Sequence, residues 1–525
     1  MDMRDTTAQG TPRKASRREW IGLAVIALPC LLYSMDLTVL NLAVPAITAD
    51  LNPSATELLW IVDIYGFMIA GALITMGTLG DRIGRRKLLM IGAFAFGLAS
   101  VLAAFASSAG MLIVARALLG LSAATLAPST LSLISNMFPD PKERTFAIGV
   151  WISSFSAGGA IGPVIGGILL TWFWWGSVFL IAVPVMILLL AVAPRLLPEY
   201  RDENAGRIDL VSAALSLAAV LATIYGIKHA ASSAFDAEAM VAILAGLAVG
   251  IVFARRQRRL AEPLIDLKLF RSLKFSASLG INVLGFFAAF GIFLLTAQYL
   301  QLVLGLSPLA AGLWSAPSSI GFIAGSLLAP RLLGSMRPAY VMAGGYAVTA
   351  ASFLLMAQAA SMGSLYLLVT SYIIMSFGLA PIFTLSTDLI IGTVPPERAG
   401  TAAGLAETSS EFGGALGIAI LGSIVTALYA SGMAAFDGGG LSREALVAPR
   451  ETIGGAVDQA ANIGGAAGDL LLAEAREAYA SAFHAVTLVC AAVSMLAGLV
   501  ALLVLGRIKP DAEEKCEESS VEAAA

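Results

Sequence analysis

Four carboxylates, Asp36, Asp63, Glu407 and Glu411, stand inside long apolar stretches of this 525-residue sequence. A translocon-type scale charges an acid at mid-helix about 2.5–3.5 kcal/mol, so an intramembrane acid reads first as a proton, ion or cation site. Glu407 and Glu411 are four apart, share one helix face and repel one another where the dielectric is low. Such groups suit the exchange of a proton for a cation. The structural alternative for each is a hydrogen-bonded acid, and Asp63, near the outer end of its run, would also serve as a gate or interface residue. Arg116 lies inside an apolar run as well and must find an acid or carbonyl oxygens, either as a coupling group or as a helix-to-helix strut.

Aromatic and soft side chains occur at similar depths: Tyr33, Met35, Trp60, Tyr65, Phe286, Phe287, Phe290, Tyr299 and Trp314. A subset facing a cavity would hold flat lipophilic cations, because ring faces attract cations while carboxylates supply net charge. The others would be packing or interface anchors. With Trp20 at the inner interface, a rise of about 1.5 Å per residue carries Asp36 some 24 Å outward, level with Asp63, while Glu407 and Glu411, on a run that climbs from the same inner side near Gly400, stand about 10 and 16 Å in. Asp388, near the inner end of its run, reads as a latch partner for Arg331 or Arg398.

The elements that position these residues must be membrane helices. Hydrophobic residues make up 58% of the chain and charged residues 13%, with a mean hydropathy of +0.86, against about 25% charged in a soluble protein. Fourteen runs are long enough to cross a bilayer: 21–44, 58–78, 88–106, 110–135, 146–171, 176–198, 208–229, 236–254, 276–304, 309–330, 338–358, 364–392, 400–430 and 480–506. If all span, 27 of the 32 Lys and Arg fall on one side, Lys228, Arg443, Arg450 and Arg476 on the other, and Arg116 within. The positive-inside rule then predicts a multi-pass membrane protein with both termini cytoplasmic, including a retained N-terminal tail. The net charge of −3 suggests no nucleic-acid partner, and Cys30, Cys490 and Cys516 suggest neither a disulfide framework nor a metal site. No Gly-x4-Gly-Lys-Ser/Thr motif is present, so an ion gradient is the expected energy source and no cofactor is expected.

A repeat divides the chain. Gly158-Gly159-Ala160-Ile161-Gly162 is echoed by Gly413-Gly414-Ala415-Leu416-Gly417, Ala127-Pro128 by Ala380-Pro381, and Glu143-Arg144 by Glu397-Arg398, all in one register. This predicts an all-α membrane protein of two six-helix bundles, at 21–198 and 276–506, with two helices and a basic loop inserted over 199–275 and cytoplasmic tails at 1–20 and 507–525. The Arg255-Arg256-Gln257-Arg258-Arg259 stretch would sit at anionic lipid. The outer segment 431–478, with Ser442 as a helix cap and helical patches at 442–449 and 469–478, would be either a helical hairpin or a solvated loop.

Between the second and third runs, Gly77-Thr78-Leu79-Gly80-Asp81-Arg82-Ile83-Gly84-Arg85-Arg86-Lys87 offers a tight turn and charges for latching neighbouring helix ends. It resembles the motif A loop of the major facilitator superfamily. Arg116 with Gly120 resembles that family's motif B, and Gly158, Gly162, Pro163, Gly166 and Gly167 its antiporter motif C. Asp36-Leu37-Thr38-Val39, the Trp60-to-Tyr65 segment and the count of fourteen are similar to the drug:proton antiporter branch (DHA2), which includes quaternary-ammonium pumps. The resemblance implies a transporter rather than an enzyme: alternating access, protons exchanged against lipophilic cations, a coupling role for Arg116, and a conformational latch at Gly80, Asp81, Arg82, Gly84, Arg85 and Arg86. Some pumps of that branch for multivalent cations carry a further acid where this chain has Phe322. Export of a neutral or anionic metabolite or a lipid would use the same fold.

Overall fold

The structure, a computed structural model, describes residues 14–201, 209–233, 237–260, 263–333, 335–436, 441–442 and 444–506. The tails at 1–13 and 507–525, with Cys516, and the expected outer cation Arg443 lie outside the described residues.

Among the described residues, fourteen helices are long and apolar enough to cross a membrane. We number them α1 (Arg17–Leu51), α2 (Ala55–Ile83), α3 (Arg85–Ala104), α4 (Ala109–Met137), α5 (Pro141–Trp172), α6 (Ser177–Leu196), α7 (Leu210–Ser233), α8 (Ala237–Gln257), α9 (Leu273–Val303), α10 (Pro308–Leu332), α11 (Pro338–Met362), α12 (Leu365–Gly392), α13 (Ala399–Ala434) and α14 (Gly465–Leu505). Their ends follow local chemistry. Ser54 and Glu57 form a reciprocal capping box at α2, whose hydrogen bonds hold the Glu57 carboxyl below the usual carboxylate range. Asp140 caps α5 ahead of Pro141, Ser307 caps α10 ahead of Pro308, and Gly363 ends α11 with a φ of +60°. Gly84, at φ +110°, makes the abrupt joint between α2 and α3.

In the first bundle, α1 packs along α5 and α2 along α4; in the second, α9 packs along α13 and α10 along α12. The repeated glycines explain the match. A side chain at Gly158 would strike the Leu31 carbonyl of α1, and one at Gly413 would stand 2.5 Å from the Val283 carbonyl of α9. Backbones can approach this closely in lipid only where side chains are absent. The bundles meet along α2 with α13 and α5 with α10. The inserted pair, α7 and α8, packs on itself, and α7 also lies against both α2 and α13, burying Ile224 and Ile227 with Phe67, Ala70 and Ala415.

The α2–α3, α4–α5, α6–α7, α8–α9 and α12–α13 connections share one end of the molecule, where most Lys and Arg gather; we call it the basic end. At the opposite end the segment after α13 is helical in part. Ser442 accepts a hydrogen bond from the Ala445 N–H, a helix covers Ile453–Ile463, and α14 starts at Gly465, fifteen residues before the expected 480. Both expected patches are helical, in the short turns Glu444–Leu446 and Val447–Glu451 and in the extended start of α14, and the unexpected helix Ile453–Ile463 folds at Gly464 against α14.

Candidate functional site

Helix α1 carries Asp36 and Tyr33 one turn apart, on the side facing α2, α4 and the second bundle. Arg116, on α4, is fully enclosed and forms an ion pair with Asp36 at 2.5 Å, leaving that carboxylate 14% exposed. The guanidinium also donates to the carbonyl oxygens of Ile61 at 3.1 Å and Val62 at 3.5 Å, and stands over the Tyr65 ring, 4.6 Å from its centroid. A cation this deep is sustained by such a full set of partners. Because Arg116 reaches both Asp36 and the backbone beside Asp63, the two acids lie at one level, and Asp63 is half-buried.

From Tyr65 the line continues toward the second bundle. Its ring lies 6.1 Å from Tyr33, which in turn packs edge-on to Phe155 at 5.4 Å. The Tyr33 hydroxyl donates 3.0 Å to Glu411 of α13, joining the two halves at mid-depth. Glu407, one turn toward the basic end on the same helix, is half-buried. The Tyr65 hydroxyl is buried with no hydrogen-bond partner among the described residues. Within the second bundle, Phe286 of α9 stacks on Phe383 of α12 at 4.1 Å, extended by Phe322 of α10 and by the exposed Phe290, which lies against Gly414 of α13.

The remaining expected residues separate into groups. Phe287 lies partly buried on α9, where its carbonyl receives Gly417. Tyr299 does not reach the space between the bundles: it is 1% exposed, packs on Phe483 and donates to the Ala360 carbonyl inside the second bundle. Trp60 is an exposed residue beside Phe67, and Trp314 pairs with the exposed Tyr366 at an outer helix end. Neither joins the Tyr33–Tyr65 cluster. Gly158, Gly162 and Gly166 of α5 seat the backbone and side chains of Leu31, Thr38 and Val39 of α1, whereas Gly167 faces open space and Pro163 shares their helix.

At the basic end the bundles are tied together. Asp81 accepts from the N–H groups of Gly400 at 2.9 Å and Thr401 at 2.8 Å, capping the first turn of α13, and from Arg85 at 2.8 Å. Arg85, 1% exposed, also donates to the Pro396 carbonyl. Gly80 packs against Leu88, Arg82 is half-buried, and Arg86 binds the Leu197 carbonyl at 2.9 Å and Glu199 at 3.5 Å, which ties α3 to the end of α6. Asp388 departs from expectation. Its partners are Arg144 and Thr145 of α5, each at 2.7 Å, while Arg398 binds Asp266 at 3.3 Å. An acid at the end of α12 thus closes on the other bundle rather than on its own.

Residues 26–418 match the family described as Major Facilitator Superfamily. The chain belongs to that superfamily. It is 42% identical over 494 residues to the multidrug efflux pump LfrA of Mycolicibacterium smegmatis, an alignment covering 94% of this chain and 97% of the relative. It is 34% identical over 463 residues to the methyl viologen resistance protein SmvA of Salmonella typhimurium, covering 88% and 93%. The crystal structure of the human organic anion transporter MFSD10 shares the fold, with a TM-score of 0.59, 16% identity, and coverage of 92% of this chain and 99% of that one. This member of the superfamily is a multi-pass membrane transporter and not an enzyme.

Sequence reasoning had no partner for Arg116 and did not single out Phe155, Phe383, Arg144 or Asn282. For Arg144 a signal existed: the Glu-Arg pair repeats at 143–144 and 397–398, so both arginines begin the fifth helix of a bundle.

Proposed function

We propose that this transporter exports lipophilic cations of the quaternary-ammonium type, with other drugs, in exchange for protons, by alternating access of its two bundles. It sits in a bacterial inner membrane with the basic end and both termini in the cytoplasm, needs no cofactor, and runs on the proton gradient. Membrane lipid contacts its basic loops, including the stretch at 255–259. The printed names of two relatives, a multidrug efflux pump and a methyl viologen resistance protein, support the substrate class.

The observation that carries the reading is the continuous line Asp36–Arg116–Tyr65–Tyr33–Glu411, which crosses from one bundle to the other. Asp36 is already offset by Arg116, so the negative charge open to a ligand belongs to the Glu407/Glu411 face. Tyr33, bonded to Glu411 and packed on Phe155, brings aromatic rings to that face, and Phe290 lies against Gly414 one turn further along α13; such rings supply the flat, polarisable walls a lipophilic cation needs. A cation bound there neutralises a carboxylate; so does a proton. The two compete for one charge, and competition is what makes the exchange obligatory. A proton on Asp36 weakens its pair with Arg116 and loosens α1 from α4 and α2, which connects protonation to the helix that contacts both bundles. The latches at Asp81 and Asp388 close the cytoplasmic side in the state described.

Inverted membrane vesicles test this. Energised vesicles should accumulate ethidium, lose it on addition of a protonophore, and fail to accumulate it when Glu411→Gln is introduced. Accumulation that survives both the protonophore and Glu411→Gln would overturn the proposal. Transport confined to neutral or anionic dyes would move the substrate class to metabolites or lipids.

A further inference from the structure

The α9–α13 crossing is nearly bare of side chains: Gly413 sits on the Val283 carbonyl and Gly417 on that of Phe287. Backbone against backbone limits how close two helices come, yet a smooth strip leaves their rotation about their own axes weakly specified. Polar side chains meet at one point of this crossing. Asn282 of α9 is fully enclosed, and its two amide N–H donors serve the hydroxyl oxygens of Ser409 and Ser410, each at 2.9 Å, with the Ala406 carbonyl 3.3 Å from the same nitrogen. Its oxygen accepts from Ser386 of α12 at 2.9 Å. Both serine hydroxyls also reach the Ala406 carbonyl, at 2.7 and 3.0 Å.

Positions 406, 409 and 410 form one face of α13. At about 100° per residue, Glu407 and Glu411 lie roughly a third of a turn around from it. We propose that Asn282 is a positioning residue of the transport site: by holding the 406–410 face against α9 and α12, it turns Glu407 and Glu411 toward the space between the bundles. This rests on the reading of that pair as the exchanging acids. Buried polar groups that fix helix register are the best-attested use of such groups.

The internal repeat gives an independent argument. Leu31 receives Gly158 as Val283 receives Gly413, and Met35 meets Gly162 as Phe287 meets Gly417, so Cys30 of α1 occupies the place of Asn282. On the same repeat, Glu407 and Glu411 correspond to Ile152 and Ser156 of α5. The half whose fifth helix carries the acids has the amide clamp, and the half without them has a thiol 3.7 Å from Thr130.

The test uses purified full-length protein in detergent, with two readouts. Ethidium binding, followed by fluorescence across pH, should weaken about tenfold in Asn282→Leu, as misplacement of site groups does. Its pH midpoint should move by about one unit as the surroundings of the carboxylates change. Asn282→Ser, which keeps one donor, should recover part of both. The second readout is maleimide labelling of a Glu407→Cys thiol in a background with Cys30, Cys490 and Cys516 replaced by alanine. Adding Asn282→Leu should slow it severalfold. An unchanged labelling rate together with an unchanged pH midpoint would overturn the positioning role. If the wild type binds no ethidium at any pH, the cation reading fails by itself and the labelling rate still decides the role of Asn282. If Asn282→Leu does not accumulate, Asn282→Ser carries both measurements.

Discussion

Arg116 has four attachments: Asp36, two backbone carbonyls and the face of Tyr65. Removing a partner from a buried ion pair leaves an uncompensated charge, so Arg116→Leu should lower stability by about 3–5 kcal/mol. The double variant Asp36→Asn/Arg116→Met should recover most of that loss in thermal unfolding, since an apolar pair of similar volume is often neutral, while proton-driven export stays absent. Recovery of export in the double variant would contradict a coupling role for Asp36. Tyr33→Phe removes a hydroxyl that joins the bundles at Glu411. It should reduce kcat/KM for ethidium export about tenfold, the loss of a hydrogen bond to a charged group, without changing the melting temperature by more than a few degrees. At this scale the sequence was only partly legible. The cost of charge in lipid marks Asp36, Glu407, Glu411 and Arg116 individually. It does not reveal that Arg116 meets Asp36, because that contact joins α1 to α4 across 80 positions. Nor does it say which way a helical aromatic points: Tyr33 and Tyr65 face the site, whereas Tyr299 is packed inside the second bundle.

Helix α13 shows how elements both hold and move the site. Its first turn is capped by Asp81 of the opposite bundle, its middle carries Glu407 and Glu411, and its glycines rest on α9. The free N–H groups of that turn carry the positive end of the helix dipole, so the Asp81 charge is attracted to the element that bears the acids. Asp388 with Arg144 and Thr145 is the second tie. Asp81→Asn combined with Asp388→Asn should therefore open the basic end. Spin labels at Lys142 and Arg337, both exposed, should gain a longer-distance population in the double variant; an unchanged distance distribution would contradict the latch. Packing gives a second expectation. Gly413→Ala places a methyl group 2.5 Å from the Val283 backbone and should abolish recovery of folded protein in size-exclusion chromatography, whereas Gly167→Ala, facing open space, should be neutral. The helices themselves were legible to within a few residues, because twenty apolar residues in succession leave few alternatives. The early start of α14 was not, since Asp469, Glu474, Arg476 and Glu477 lower the hydropathy of a stretch that Ala, Leu and Glu make helical.

For the whole molecule, the two bundles, the charged line that joins them and the tied basic end fit one half of the proposed alternating-access cycle. Helix α7 lies across α2 and α13, so the inserted pair covers a seam along which the bundles must separate. The central claim is that a cation and protons compete for the charges on this line of residues. The most direct measurement is on purified protein in liposomes under an imposed pH gradient, following ethidium movement and internal pH together. The account predicts that dye addition evokes a proton flux in the opposite direction, that the gradient drives dye uphill, and that both disappear in Asp36→Asn. Dye movement without a matching proton flux, or coupled flux preserved in Asp36→Asn, would contradict it.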